Sequence, residues 1–392
     1  PSVGVSGVIS EMVSLPKFIS FWKMRASFAE VGGPINYTGL TPGTVTDPMK
    51  GGVINPISVY PFPNFKAEQT KSYELGTNLR LFNNKINIDA TVYLTDTYNQ
   101  TFLSSMSPAS GYSGFYVQAG KVRNKGIELS LGYNDRFGKV GYATNLTYTA
   151  NRNKIMKMVH DYKNPSDGSL FSITELTLQD KGGVYLREKD AIGDVYVKGI
   201  LARGKDGKLI EEEGGYKVDR SQRIKIGSVN PDFSIGWRHN VTWNNITLDL
   251  LFNGRFGGIV TSSTQAFLDD YGVSKDTYKA RQNGGVWVNG TQYDAEKYYT
   301  TIGGEQLMAY YAYKATNIRL QEASLSYTLP GKWFGNVINR LTVSAIGRNL
   351  WMIYNKAPFD PEMTSSTGTY NRGDVFMPPS LRSVGFSVKI EL

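Results

Sequence analysis

Apolar and polar residues alternate one by one along stretch after stretch of this chain. A period of two admits β-strands with one oily face and excludes amphipathic helices over the same residues. The clearest run is 86–98, where Ile86, Ile88, Ala90, Val92 and Leu94 share one face and Asn87, Asp89, Thr91, Tyr93 and Thr95 the other. The pattern recurs with Ile127, Leu129, Leu131 and Tyr133 against Glu128, Ser130 and Gly132. It recurs again with Val140, Tyr142, Leu146 and Tyr148, with Phe233, Ile235, Trp237 and Val241, and with Ile246, Leu248, Leu250 and Phe252. The chain closes on Phe386, Val388, Ile390 and Leu392. The alternation predicts eleven strands, at 3–11, 19–32, 71–82, 86–103, 119–134, 139–154, 230–243, 246–261, 315–328, 339–354 and 381–392.

The connections constrain the architecture further. Short ones (12–18, 83–85, 135–138, 244–245 and 329–338) alternate with long ones (33–70, 104–118, 155–229, 262–314 and 355–380). A meander with every long loop at one end is what outer-membrane barrels show, with short periplasmic turns and long extracellular loops. A soluble sandwich has no reason for that segregation, and loops this long are uncommon in compact soluble domains. The expected fold is therefore all-β, a transmembrane antiparallel β-barrel wall. If Leu392 closes the last strand at the periplasmic rim, all the short turns fall on that side. Trp22, Tyr73, Tyr133, Trp243 and Tyr327 lie toward strand ends, where aromatic girdles sit. In 317–329 the apolar phase flips between Leu320 and Ala323, which predicts a β-bulge near Gln321-Glu322.

Composition agrees. The chain has 42 Gly, 25 Tyr and 18 Phe, a mix suited to strands and turns. No stretch approaches the roughly 18 uninterrupted apolar residues of a spanning helix. A net charge of +9 is spread along the chain without a basic run, so a nucleic-acid partner is not expected. The absence of cysteine rules out disulfides and thiolate metal sites. The only histidines are His160 and His239, with no HExxH, GxSxG or phosphate-loop motif around them, so no enzyme chemistry, cofactor or metal is expected. The sequence GKDGK at Gly204–Lys208 reads as a turn and Glu211-Glu212-Glu213 as a solvated loop. The chain opens at Pro1 within a predicted strand, so it reads as part of a longer protein.

Several segments together resemble the SusC/RagA branch of the TonB-dependent outer-membrane transporters. They are KMRASFAEVGG from Lys23 to Gly33, KAEQTKSYELG from Lys66 to Gly76, NKGIEL from Asn124 to Leu129, and IGSVNPDFSIGW from Ile226 to Trp237. NIRLQEASLSYTLP from Asn317 to Pro330 and GRNLWMIYNKAPFDPE from Gly347 to Glu362 complete the set, in family order and across nearly the whole chain. The resemblance implies the C-terminal part, residues 1–392, of a 22-stranded barrel whose plug and first strands are not in this sequence. It implies TonB-energised import of oligosaccharides or oligopeptides across the cell outer membrane. A SusD-like surface lipoprotein would form a lid, and TonB would be engaged through the absent N-terminal part. Ending in Leu392 departs from the aromatic terminus usual in such barrels. A passive porin and a surface β-rich adhesin remain as alternatives.

Two residue groups stand out under this reading. Glu74, Arg80, Glu128, Arg238, Arg255 and Arg348 fall on the polar face, as a lumenal charge network, because a charge facing lipid is costly. The predicted outer loops are rich in aromatic residues: Tyr60 and Phe62, then Tyr112, Phe115 and Tyr116, then Trp287, Tyr310, Tyr311 and Tyr313. Of these Tyr112, Phe115, Tyr116, Trp287, Tyr310 and Tyr311 are the candidate substrate contacts, because aromatic faces suit sugars and apolar peptide side chains. Packing within the loops accounts for the same rings equally well. Asp360-Pro361 reads as a rigid turn in an outer loop.

Overall fold

The computed structural model describes residues 1–33, 59–60, 66–105, 107, 109, 112–163, 168, 170–178, 184–334, 338–366 and 373–391. Phe62, the closing Leu392 and the side chain of Tyr60 lie outside the described residues. Eleven wall strands form one antiparallel meander in which each pairs with the next: β1 (Ser2–Val8), β2 (Ile19–Gly32), β3 (Gln69–Leu81), β4 (Ile86–Ser105), β5 (Gly114–Phe137), β6 (Val140–Lys157), β7 (Phe233–Trp243), β8 (Ile246–Phe256), β9 (Asn317–Pro330), β10 (Arg340–Asn355) and β11 (Ser383–Glu391). Among the described residues β1 and β11 do not pair with each other, so the sheet is an arc of barrel wall with two free edges.

Register follows the alternation. Leu129 of β5 sits opposite Ala90 of β4 and Tyr148 of β6, while Ser130 sits opposite Asp89 and Thr147. Leu248 of β8 pairs with Val241 and Leu325, and Thr247 with Thr242 and Ser326. The apolar row of one strand thus meets the apolar row of the next across the sheet, giving a lipid face and a polar lumen face. The row from Ile86 to Leu94 is about 26 Å long at ~3.3 Å per residue. A tilt of about 40° brings its height to about 20 Å, near the apolar band of outer-membrane barrels. Aromatic pairs border it. Phe28–Tyr73 (5.1 Å between centroids), Tyr148–Phe233 (5.4 Å) and Phe233–Phe256 (4.6 Å) lie toward the long connections. Tyr133–Tyr142 (6.2 Å), Trp243 and Tyr327 lie toward the short ones.

The short turns are made by residues that tolerate left-handed backbone. Asn83 and Asn84 (φ +55° and +64°) close β3–β4, Gly138 (φ +60°) closes β5–β6, and Asn244 (φ +52°) closes β7–β8. The bulge expected at Gln321-Glu322 is present: Leu251 pairs with Glu322 but Phe252 with Leu320, which leaves Gln321 unpaired on β8.

Three expectations are corrected. The first strand stops at Val8, where a helical turn, Ile9–Met12, begins. The connection expected over 104–118 narrows to 106–113, because β4 and β5 run on well above the apolar band. The strand expected over 246–261 breaks at Gly257-Gly258 (φ +77° and +76°), and Ile259–Ser262 leaves the wall to join the loops.

The long connections are themselves folded into a cap. The described residues of 158–232 include short antiparallel strand pairs, and 257–316 carry three helices, α1 (Ser263–Asp270), α2 (Lys275–Gln282) and α3 (Ala295–Gly304). Each helix starts with a side-chain cap, Ser262, Ser274 or Asp294, that accepts a backbone N–H three residues on. A core of Leu201, Leu209, Tyr216, Ala266, Tyr293, Ile302, Leu307 and Tyr311 joins the two connections. The last connection is tied in by Gly373-Asp374, which pairs in parallel with Thr261-Ser262, and by the Ser262 hydroxyl donating to Asp374 at 2.6 Å. A second core seats the hairpin 175–187 on the raised ends of β4–β6, through Phe102, Val117, Val122, Ile155, Leu176, Leu178 and Leu186.

Candidate functional site: a polar lumen face beneath an aromatic cap

The lumen face is built from charged residues that reach across strands. Arg25 of β2 lies over Gly76 of β3, where an added Cβ would come within 2.5 Å of its Nε. From there its guanidinium donates to Asp89 Oδ1 (2.8 Å) and Thr91 Oγ1 (2.5 Å) of β4. Asn78 Nδ2 donates to the same carboxylate at 2.9 Å. One row along, Tyr93 lies over Gly126 of β5, where a Cβ would meet its ring at 2.5 Å. The glycines of the SYELG and NKGIEL segments therefore have a steric reason: each is the floor under a long lumenal side chain.

All six residues expected in the lumenal network fall on this face by register. Arg238 donates to Asp249 at 2.9 Å, and Asn240 donates to the same carboxylate. Arg348 donates to Glu322 at 3.0 Å. Arg80 stacks over the Phe21 ring at 5.1 Å, and Arg255 donates to the Val229 carbonyl at 2.6 Å. Glu74 lies near Arg25, and Glu128 shares the rung of Thr91 and near neighbours of Tyr93. The structure divides the six: Arg238 and Arg348 pair with carboxylates of the wall, Arg80 stacks on Phe21 and Arg255 reaches the Val229 carbonyl of the adjoining connection, whereas Glu74 and Glu128 are exposed carboxylates aimed into the lumen. Arg25, Asp89 and Asp249 were not singled out from the sequence, although each lies in phase with the polar row of its strand.

Higher up, a buried ion pair fastens the last connection to the wall. Arg319 of β9 donates to both carboxylate oxygens of Asp360 (2.8 and 3.2 Å) and also contacts Asn349 and Asn317. The Arg319 and Asp360 side chains are only 5% and 8% exposed. Burial pushes the Asp360 carboxyl up, but hydrogen bonds from Arg319, Ser380 and the Glu362 backbone outweigh it and hold the value below the ordinary one. The NIRL and FDPE segments are thus two halves of one contact, and Asp360-Pro361 is more than a turn.

The aromatic candidates separate by placement. Phe115 packs against the core beneath the 175–187 hairpin, and Tyr311 is 1% exposed at the centre of the cap. Tyr310 uses its hydroxyl to accept the Leu201 backbone N–H at 3.0 Å. Tyr311 is thus enclosed by packing, whereas Phe115 and Tyr310 pack on one side and stay partly exposed. Tyr112 and Tyr116 are half-buried, and Trp287, in the first strand of a small hairpin and opposite Gln292, is 62% exposed. Within the cap Asp269 is buried beside Tyr311 and accepts from Gln265 Nε2 at 2.9 Å; burial raises its pKa above the usual carboxylate value. Burial also pushes the hydroxyls of Tyr298 and Tyr299 up to about 12.

His239 sits in the wall, its Nδ1 2.9 Å from the Tyr142 hydroxyl, and His160 pairs with Glu188 at 2.5 Å. Among the described residues no group of three or more His, Asp or Glu side chains is placed to hold a metal ion. Gly204–Lys208 forms the expected turn, with Asp206 accepting the Lys208 backbone N–H, and Glu211 and Glu212 face Lys297 and Lys217.

The family model for the TonB dependent receptor-like β-barrel matches residues 6–250. TonB-dependent receptor P3 of Formosa agariphila is 25% identical over 373 residues, 88% of this chain and 36% of that protein. A second receptor of the same organism, P39, is 22% identical over 96% of this chain and 40% of its own length. The chain therefore spans about two fifths or less of these curated relatives. Among solved structures, the RagAB peptide importer in its open-open state superposes with a TM-score of 0.74 at 19% identity, covering all of this chain and 42% of that one. The RagAB peptide transporter gives 0.72 at 18% identity, with 99% and 42% covered.

Proposed function

The chain belongs to the TonB dependent receptor-like β-barrel family, and from that premise we propose that it is the C-terminal part of an outer-membrane importer energised by TonB. In this reading the plug and the first strands, supplied by residues outside this sequence, pack against the polar lumen face. The observation that carries the proposal is that face itself. It holds ion pairs at Arg25–Asp89, Arg238–Asp249 and Arg348–Glu322, with Glu74 and Glu128 turned into the lumen. A polar lumen suits a barrel that houses a plug and passes hydrophilic cargo.

The cargo we propose is an oligopeptide, with an oligosaccharide as the second reading. Support for the peptide comes from the likeness to the RagAB peptide importer, whose name says what that protein carries. Tyr112, Tyr116 and Trp287 would offer it aromatic faces, and a SusD-like surface lipoprotein would close over the cap. Uptake of labelled oligopeptides and oligosaccharides into cells expressing the whole protein tests this, with and without functional TonB. Import is expected to require TonB and to favour peptides, and Trp287→Ala to weaken capture while leaving the barrel assembled. Uptake that persists without TonB would support a passive porin instead.

A further inference from the structure

We propose that the lipid-facing side of β5 and β6, just above the apolar band, is a binding site for the phosphorylated headgroup of an outer-leaflet lipid. Lys125 pairs with Arg152, Arg123 with Lys154, and Lys121 with Lys157, in three successive outward-facing rungs of one strand pair. Outward facing is fixed by phase. Lys125 shares its side with Ile127, Leu129 and Leu131 and sits opposite Leu94, while the intervening Val122 and Ile155 point inward into the core under the 175–187 hairpin. The bulge at Met156 keeps Lys157 on the outer face.

Like charges directly opposite each other in a sheet are destabilising, and here they occur on three rungs running. Only part of this charge is met within the protein. Asp96 takes Lys121 and Arg123 at 2.8 and 2.7 Å, and Asp232 takes Arg152 at 3.0 Å. Among the described residues Lys125, Lys154 and Lys157 make no ion pair, and all three are exposed. Six cations thus face two carboxylates on a patch two strands wide. Elsewhere on the same level the wall balances its charge, as where Glu30 meets Lys71 at 3.6 Å. An arrangement of like charges that folding alone disfavours is explained by an anion that sits between them.

Position identifies the anion. The lowest rung lies at the level of Leu94 and Tyr73, where the oily row ends and the girdle formed by Phe28, Tyr73, Tyr148 and Phe233 begins. At that height in an outer membrane the neighbouring groups are lipid headgroups. Arginine and lysine together suit phosphate, Arg through its fork and Lys as a mobile point charge. The long stems lie along the apolar wall while their charged ends reach into the headgroup layer. The ligand is therefore an amphiphile with acyl chains against Leu129 and Ile127 and phosphate against the rungs. The inference rests on the outer-membrane location alone, so it stands or falls separately from import and cargo.

The test uses the protein as its host makes it, purified from outer membranes in a nonionic detergent and stripped of lipid. Binding of a diphosphorylated acyl glycolipid is measured by native mass spectrometry beside the same glycolipid without phosphate. The phosphorylated form is expected to bind at least tenfold more tightly, since a contact to a charged group is worth about a factor of ten or more. The triple variant Lys125→Gln, Arg152→Gln, Lys154→Gln should lose that preference. The charge-conserving variant Lys125→Arg, Arg152→Lys, Lys154→Arg should keep it, and Lys208→Gln, on a distant turn, should leave it unchanged. Equal binding of the two glycolipids, or a preference that survives the triple Gln change in a heat-modifiable barrel, would overturn the proposal. Displacement of the glycolipid by millimolar inorganic phosphate as readily as by itself would assign the site to free phosphate and overturn it too.

Discussion

The wall and the cap of this molecule are built on opposite rules. In the wall, each residue's surroundings follow from its parity and from the residues directly across in neighbouring strands: Leu129 meets Ala90 and Tyr148, and Ser130 meets Asp89 and Thr147. In the cap, neighbours come from distant parts of the chain, as when Tyr310 meets Leu201 or Asp374 meets Ser262. The wall draws its stability from lipid on one side and from a cross-strand ladder. The cap must bury its own core, and two of its tyrosines tie that core to backbone, Tyr293 accepting the Leu209 N–H and Tyr310 the Leu201 N–H, each at 3.0 Å. One region is specified by period, the other by particular contacts.

That contrast predicts unequal responses to substitution. The largest effect belongs to the centre of the cap. Tyr311→Ala should destabilise the cap by about 3–5 kcal/mol, the range for emptying a buried aromatic site, and limited proteolysis should cut within 257–316 while the wall stays intact. If wall and cap unfold together, the division drawn here is wrong. Next comes the fastening between them. Arg319→Ala strands Asp360 as a buried unpaired charge, a loss of about 3–5 kcal/mol, and should free residues 356–382 to rapid hydrogen exchange. Arg319→Lys should fall between, because one ammonium cannot replace the two-pronged contact.

A third comparison stays within the wall. Leu129→Lys, opposite Ala90 at the centre of the apolar row, should cost about 2–4 kcal/mol, and Ser130→Lys, its immediate neighbour, within about 0.5 kcal/mol, both read from folding into lipid vesicles. Equal costs would break the assignment of faces. The smallest effects concern two buried carboxyls with opposite pH behaviour. Asp360 has a lowered pKa, so the stability it lends is present above the ordinary carboxylate value near pH 4 and is lost as pH falls through the lower folded value. Asp269 has a raised pKa, so the cap is favoured at low pH and loses that contribution as pH rises from the ordinary value through the folded one. Asp269→Asn should remove the second trend and leave the first, measured by cap-specific hydrogen exchange across pH 3–7.

How much of this was legible in the sequence follows from the same contrast. The eleven strands, the short turns and the bulge at Gln321 could be read because period two survives in a single sequence without knowledge of partners. Strand limits were missed where the apolar band ends, since β4 and β5 continue as a support for the cap after the alternation has lost its lipid meaning. Arg25 was missed as a lumenal residue because its importance lies in what it crosses, Gly76, rather than in its own segment. The role of Asp360 was underestimated for the same reason: its partner, Arg319, is 41 residues away in the chain. Cap helices α1 to α3 have weak faces and were read as loop, and nothing local marks Tyr311 as core while Trp287 stays exposed. The rungs of Lys and Arg on β5 and β6 were visible as scattered charge, and only pairing showed that they face each other.

The central claim is that side chains alternate between lipid and water along each wall strand. This sequence contains no cysteine, so single cysteines placed at each position from 127 to 133, in the whole protein freed of any cysteine elsewhere, and spin-labelled in a lipid bilayer report it directly. Labels at 127, 129, 131 and 133 are expected to collide with membrane-dissolved oxygen, and those at 128, 130 and 132 with a water-soluble nickel chelate. A flat profile, or one with the two sets exchanged, would contradict it.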